Sequence, residues 1–290
     1  VRRTAPHVVV VILNWCGEED TAACVRSALA SDYPRATVLL VDNGSPDGSG
    51  ARLRDAFPDV PYLQTGANLG YTGGNNRGFE WALAQGADYV VVLNNDTELD
   101  PHCLSWMVRA AESDPTIGGV APHILVHGGD VVWYAGGDLS EARGAGLHRL
   151  DPRPASPDDA SLQAISFMTG CCFLLTRRAL EAVDGFEESF FAYNEDTDLS
   201  WRLAQAGFRM VYEPRALLTH KVGDRPEEPS PFQIVQRDRN RRRFVRLRFG
   251  TAARARFAAW FYPTRLVHLG RYAARRDWAR CRAVWHGMIR

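Results

Sequence analysis

Apolar runs and mixed stretches alternate through the first third of the chain. Tyr89-Val90-Val91-Val92-Leu93 is unbroken and reads as a fully buried strand. Strand patterns also cover 8–13, 37–41 and 61–64, and helical patterns cover 18–30, 50–57 and 72–85. Pro101 opens a further helix over 101–113. Strands alternating with helices across short connections predict an α/β fold with a mostly parallel sheet flanked by helices.

The pattern then changes. Short β-like pieces with glycine pairs run from 118 to about 138, and 151–160 is a proline-rich loop. Residues 165–176 are apolar and strand-like, a helix covers 178–182, and an aromatic turn fills 185–193. Over 195–206 Leu199, Leu203 and Ala206 share one helical face, and Gly207 ends the helix. A strand follows over 208–212, and the last stretch is helical, its arginines interleaved with Phe, Leu, Trp and Tyr.

Composition sharpens this picture in two places. The 290 residues, 46% hydrophobic, suffice for one large domain or a domain plus an appendage. Net charge is zero, yet residues 234–290 hold 16 arginines against two aspartates, with no lysine or glutamate. Such a tail suits packing on the acidic remainder, or peripheral attachment to an anionic membrane surface. No nucleic-acid motif accompanies the charge. The six cysteines form no Cys-x-x-Cys pair and read as reduced, mostly buried thiols of a cytoplasmic protein. Arg2-Arg3 and the short apolar run after it make a strand, not a signal peptide. No stretch approaches the ~18 apolar residues of a membrane span.

Polar clusters punctuate the strand ends. Asn94-Asn95-Asp96-Thr97 follows the buried run, where open α/β sheets place ligands. Asp96 there suits a hard divalent cation on a diphosphate, and equally a helix cap before Pro101. Asp42-Asn43-Gly44-Ser45 ends the second strand, where an acid can take a hydrogen bond from a base or ribose; an Asx turn is the other reading. The stretch 68–78 is glycine-rich backbone opening a helix, suited to close approach of a nucleotide or to packing. Glu195, Asp196 and Asp198 crowd a helix start behind Phe190, Phe191 and Tyr193. The macrodipole accounts for part of that crowding. Desolvation by the aromatics would raise proton affinity and suit a carboxylate to general-base work.

Together these pieces resemble the inverting nucleotide-sugar glycosyltransferases of family 2, on the GT-A fold, and more closely their bacterial rhamnosyltransferase-like branch. The resemblance spans roughly residues 8–220. It runs in the family's order: Asn14-Trp15, Val41-Asp42-Asn43-Gly44-Ser45, Asn68-Leu69-Gly70 with Gly73-Gly74-Asn75-Asn76, Asn94-Asn95-Asp96-Thr97, Thr169-Gly170, Asp184-Gly185-Phe186 and Glu195-Asp196-x-Asp198. Arg239-Asn240-Arg241 also looks like the branch. It implies a Rossmann-like catalytic domain over 1–230, with a nucleotide-sugar half (1–115) and an acceptor half (116–230). A basic helical tail over 231–290 follows.

The resemblance also implies roles. Asp42 would hold the nucleobase. Asn14, Asn43, Asn68, Gly70, Gly74, Asn75, Asn94 and Asn95 would line the donor pocket. Asp96 is similar to the last carboxylate of the family's Asp-x-Asp motif; Asn94 replaces the first, which leaves fewer charges on the metal. His220 matches a histidine that reaches the metal or diphosphate, and the metal would be Mg²⁺ or Mn²⁺. Asp196 matches the catalytic base, with Glu195 the alternative. Thr169, Gly170, Phe191, Tyr193 and Asp198 would form the acceptor side.

The implied reaction is a single displacement that moves a sugar, rhamnose by branch resemblance, from a dTDP or UDP donor to a glycan, lipid-linked glycan or natural product. The location implied is cytoplasmic, peripheral on the inner face of the plasma membrane. A nucleotidyltransferase would use a similar sheet and metal carboxylate but fits Glu195-Asp196 less well. A non-catalytic nucleotide-sugar-binding scaffold subunit is kept open by Asn94.

Overall fold

The computed structural model describes residues 4–151, 161–221 and 228–289. The loop expected over 151–160 lies, apart from Asp151, outside them. Among the described residues one sheet of ten strands organises the chain. Its first half is parallel and runs β3 (Tyr62–Gln64), β2 (Ala36–Asp42), β1 (Val8–Asn14) and β4 (Tyr89–Asn94). Val8 to Ile12 and Val90 to Leu93 are at most 1% exposed, because helices cover both faces of such strands. Those helices are α1 (Glu18–Leu29), α2 (Ser49–Ala56), α3 (Gly70–Ala84) and α4 (Cys103–Glu112).

The second half departs from parallel order. β11 (Cys172–Thr176) enters antiparallel between β4 and β6 (Ile117–Val126), and β12 (Arg209–His220) lies parallel to β6. β5 (Thr97–Leu99) and β10 (Gln163–Ile165) pair antiparallel with β12, and β7 (Val132–Tyr134) with β6. A separate hairpin joins β8 (Gly137–Ser140) to β9 (Ala145–His148).

Two strand expectations change. The apolar run 165–176 is not one strand: residues 166–171 leave the sheet, and side chains of α6 (Glu195–Gln205) satisfy their backbone. Met168 N–H donates to Ser200 Oγ at 3.0 Å and Gly170 N–H to Asp196 Oδ2 at 3.0 Å. The strand expected over 208–212 continues to His220. Glu213-Pro214-Arg215 reads as a break, but the register shifts there and the strand resumes. Buried Glu213 is paired with Arg215 at 2.7 Å. The continuation sets His220 opposite Thr97.

α5 (Arg177–Val183) links β11 to the aromatic turn, which contains a 3-10 turn over Glu188–Phe190. The C-terminal residues form α7 (Pro231–Arg248), α8 (Thr251–Ala274) and α9 (Trp278–Ile289). Ser230 and Gln233 make a capping box at the start of α7, with Pro231 in its first turn. None of the helices among the described residues is long and apolar enough to cross a membrane.

These helices build a second core of Phe244, Phe249, Phe257 and Phe261, and Phe190 of the aromatic turn is buried in it. Asn240 of α7 places its amide nitrogen 2.8 Å from the carbonyls of Phe190, Ala192 and Tyr193. Asp198 is expected on the acceptor side; the structure corrects this. Its side chain is 0% exposed, and its carboxylate accepts from Arg202 and Arg248, each at 2.7 Å. An ion pair within α6 and another to α7 engage both its oxygens, so it ties two elements together.

Asp198→Ala leaves both guanidiniums without a counter-charge in a largely buried setting. Folding stability should fall by about 3–5 kcal/mol, read from denaturant midpoints. A fall within about 0.5 kcal/mol, the usual range of a surface change, would show the pair to be immaterial.

Candidate active site

Parallel register brings the polar strand ends level: Asn14 pairs with Asp42, and Leu13 with Asn94. Asn14 is completely buried. Its Nδ2 donates to Asp42 Oδ1 (2.8 Å), Ser45 Oγ (3.1 Å) and Ser49 Oγ (3.1 Å). Its Oδ1 accepts from Gly17 N–H and Thr21 Oγ1, and Thr21 Oγ1 accepts from Asn95 Nδ2 at 2.9 Å. One interior amide therefore connects Asp42 to the loop of Asp96. Asn14 is expected to line the donor pocket, and its amide spends its hydrogen bonds on the loops around that pocket.

Asp42 is 1% exposed and, besides Asn14, accepts from Ser45 Oγ and from Gln64 Nε2, each at 2.5 Å. A Cβ on Gly50 would lie 2.3 Å from its Cγ, so only glycine lets α2 approach. Asn43, 2% exposed, shapes the next loop by bonding Asn68 Oδ1, Gly70 O and Leu69 N–H. Asn68 itself is exposed. Gly70 has φ of 72°, and a Cβ there would strike the Phe191 ring and carbonyl at 2.5 Å. Gly74 packs on Leu13, and Asn75, 1% exposed, donates to Tyr71 O. Gly70, Gly74 and Asn75 shape the pocket from within, and Asn75 Oδ1 is buried without a partner among the described residues.

The turn Asn94–Thr97 is closed by Thr97 Oγ1 donating to Asn94 O at 2.6 Å, and Asn94 and Asn95 are half-buried. Lys221 N–H donates to Asp96 O at 2.8 Å, holding the end of β12 against this turn. Asp96 Oδ1 and His220 Nε2 then stand 3.2 Å apart without the alignment of a hydrogen bond, and Oδ1 has no other donor. A buried carboxylate oxygen without a donor, 3.2 Å from an imidazole nitrogen and on a side chain 38% exposed, fits a divalent cation. No cluster of three or more metal-ligating side chains occurs among the described residues.

Glu195 and Asp196 open α6 after an unusual turn: Phe191, Tyr193 and Asn194 have φ of 63°, 70° and 72°. Glu195 is 6% exposed, and its Oε2 is buried with no partner. Burial, then the charge of Asp196, pushes its carboxyl well above the ordinary range. Asp196 is half-buried; burial raises its carboxyl too, but hydrogen bonds from Gly170 N–H (3.0 Å) and Thr197 N–H (2.7 Å) oppose the shift. Thr169 is 4% exposed, and Gly170 uses its N–H on Asp196 and its carbonyl on the Tyr71 hydroxyl. Gly170 supports the acid from behind, and Thr169 Oγ1 accepts from Cys171 N–H at 3.4 Å. Phe191 and Tyr193 remain partly open, with Arg237 4.9 Å from the Tyr193 ring.

The two acidic groups lie on one surface. Asn94 N–H donates to Cys171 O at 2.9 Å, and the adjacent Gly170 holds Asp196. A second bridge was not visible in the sequence. The Trp133 ring lies 4.5 Å from His220 and 4.7 Å from His148, and His148 is within electrostatic reach of Asp196. Its Nδ1 sits 3.1 Å from Trp133 O, and burial among Trp133, Tyr134 and Phe167 lowers its pKa although part of the ring reaches solvent. Both residues sit on strands of three or four residues, too short for periodicity to reveal.

The chain matches the model of glycosyl transferase family 2 over residues 7–184. It is 35% identical over 223 residues to an N-acetylglucosaminyl-diphospho-decaprenol L-rhamnosyltransferase of Mycobacterium tuberculosis, covering 70% of this chain and 72% of that protein. Among solved structures it is similar to a mannosyltransferase of Pyrobaculum calidifontis in complex with GDP-Man and Mn²⁺. The TM-score is 0.63 at 18% identity, over 99% of this chain and 87% of that one. It is also similar to GalNAc-T7 with UDP, GalNAc and Mn²⁺, with a TM-score of 0.66 at 18% identity over 84% and 48% of the two chains. A family model spanning more than half of the residues, on a GT-A sheet whose strand ends converge on one polar site, makes this chain a member of glycosyl transferase family 2 and a glycosyltransferase.

Proposed function

We propose that this enzyme moves a sugar, of the rhamnose type, from a nucleoside diphosphate to a hydroxyl of a lipid-linked glycan, in one displacement that inverts the anomeric carbon. The observation that carries the reading is the meeting of Asp96 and His220, aimed at each other without a hydrogen bond, with partly open Asp196 on one surface. The diphospho-decaprenol acceptor and rhamnosyl transfer in the name of the mycobacterial relative support the acceptor and sugar class.

In this reading residues 1–115 hold the donor and 116–230 the acceptor, with 231–290 as a basic helical appendage. Asp42 meets the base: Gln64 is the exposed side chain covering its Oδ2, and a base N–H would take that amide's place. Asn68, Asn94 and Asn95 border the donor. Asp96 and His220 hold Mg²⁺ or Mn²⁺, which would stabilise charge on the leaving diphosphate. Asp196 takes the proton of the attacking hydroxyl as the new C1–O bond forms and the bond from C1 to the diphosphate oxygen breaks. Glu195, kept neutral by burial, leaves Asp196 as the anion of the pair. Phe191 and Tyr193 border the acceptor. Exposed Leu266, Val267, Trp278 and Trp285 among the arginines of α8 and α9 support peripheral contact with an anionic bilayer.

Asp196→Asn should retain donor affinity and lose ~10²–10⁴ in turnover; wild-type turnover in the variant excludes Asp196 as base. Because the Asp196 carboxyl is raised, the wild-type rate should fall with acidification on a limb above the ordinary carboxylate range, and an acid limb at or below that range contradicts the assignment. Asp96→Ala and His220→Ala should each abolish the gain in donor affinity that Mn²⁺ gives, measured by calorimetry across dTDP-, UDP- and GDP-sugars. Equal donor binding with metal and with chelator in wild type would refute that role.

Glu195 makes a separate statement about stability. Its folded pKa is raised, so its contribution is full below the unfolded value and is lost as pH rises through the folded one. Glu195→Gln should therefore flatten the decline of the thermal midpoint with rising pH. Parallel curves for the two proteins would show that the shift is absent.

A further inference from the structure

Arg239, Arg242, Arg243 and Arg246 stand at positions i, i+3, i+4 and i+7 of α7 and so share a face. With Arg254 of α8 they line a groove of about 240 Å³, whose other wall is Val245, Phe257, Ala258 and Tyr262. Among the described residues none of these five arginines meets a carboxylate. Arg242 donates to Gly287 O, Arg243 to Ser189 O and Arg254 to Arg246 O. Arg246 is exposed, and Arg239 Nε is buried without a partner among the described residues. Neighbouring arginines are neutralised: Arg248 by Asp198, Arg265 by Asp238 and Arg280 by Asp277.

Arg239, Arg242 and Arg243 are half-buried and Arg246 and Arg254 exposed, so the concavity gathers positive charge that an anion entering it would meet. Guanidinium forks match phosphate oxygens, and several together match a diphosphate. The apolar wall adds a second preference. Tyr262 stands at the rim, and Leu266, one turn further along α8, is 60% exposed. An anion with a hydrocarbon chain satisfies both walls; a free anion satisfies one.

The groove also connects to the catalytic surface. The tip of the β8–β9 hairpin rests on it, where a Cβ on Gly144 would lie 2.9 Å from Val245 and 3.1 Å from Phe257. His148, on the same strand and within electrostatic reach of Asp196, is four residues on, about 13 Å at about 3.3 Å per residue. A sugar ring and its diphosphate have a comparable length.

We propose that this groove binds the diphosphate of the lipid-linked acceptor, with the first isoprenoid units against Phe257 and Tyr262 and the sugar extending toward Asp196. The proposal rests on the transferase reading above and adds where the acceptor's anion sits. Guanidinium-to-phosphate bonds then hold the acceptor in register.

Farnesyl diphosphate tests it, titrated calorimetrically in chelator into wild type and Arg239→Gln/Arg246→Gln, with inorganic pyrophosphate and phosphatidylglycerol vesicles as comparisons. The variant should bind the probe at least tenfold more weakly, and wild type should bind it more tightly than pyrophosphate and in competition with no more than a weak vesicle signal. Equal affinity in wild type and variant overturns the site. Pyrophosphate as tight as the probe overturns the lipid part in favour of a free-phosphate site, and vesicles that compete fully overturn it in favour of bulk headgroups. Arg246→Gln alone, at an exposed position, serves should the double variant unfold. Donor turnover by wild type reads the other claim: no turnover with probe binding lost in the variant sinks the transferase reading and leaves the groove, and the reverse pattern sinks the groove alone.

Discussion

The turn before α6 is the constraint on which the catalytic surface depends. Phe191 and Tyr193 hold positive φ, a conformation that costs about 1–3 kcal/mol for each such residue. That strain persists because the turn is gripped from outside. Asn240 reaches three of its carbonyls, Phe190 is sunk in the core of the C-terminal helices, and Arg248 locks Asp198 one helical turn further on. Loosening any of these lets the backbone relax, and Asp196 moves with it. The basic helices are thus part of the frame of the site.

A second constraint acts on the donor side, where register takes the place of strain. Parallel pairing sets Asn14, Asp42 and Asn94 at one level, and the interior network around Asn14 fixes the loops that follow. Many of the polar residues gathered there never see solvent. They satisfy one another, as buried polar groups must, and what they position is a small number of groups left open: Asp96, Asn94, Asn95, Asn68 and Asp196. Asn75 Oδ1, Asp96 Oδ1 and Glu195 Oε2 are exceptions, buried without a donor among the described residues. Exceptions of that kind mark chemistry more sharply than the polar clusters themselves.

Much of the donor half was legible from sequence because each signal was local. Val8 to Leu13 and Tyr89 to Leu93 are long apolar runs, and the polar residues ending them sit where parallel sheets collect ligands. What was not legible is non-local. An apolar stretch such as 166–171 looks the same whether its backbone bonds a neighbouring strand or the side chains of Ser200 and Asp196. Asp198 looks like its neighbours until Arg248, 50 residues away, neutralises it. Trp133 and His148 lie on strands too short to carry a period, and only the sheet brings them beside His220.

The grip of Asn240 on the turn also sets an order of events. A chain emerging amino end first can finish β1 to β4 and their helices from contacts already present, since domains form as their residues appear. The turn bearing Asp196 has nothing to offset its strain until α7 has followed it out. A polypeptide without α7 is therefore able to complete the parallel half of the sheet while Asp196 stays out of place. The C-terminal helices thus act on α6 at a distance in sequence, by holding the turn in front of it.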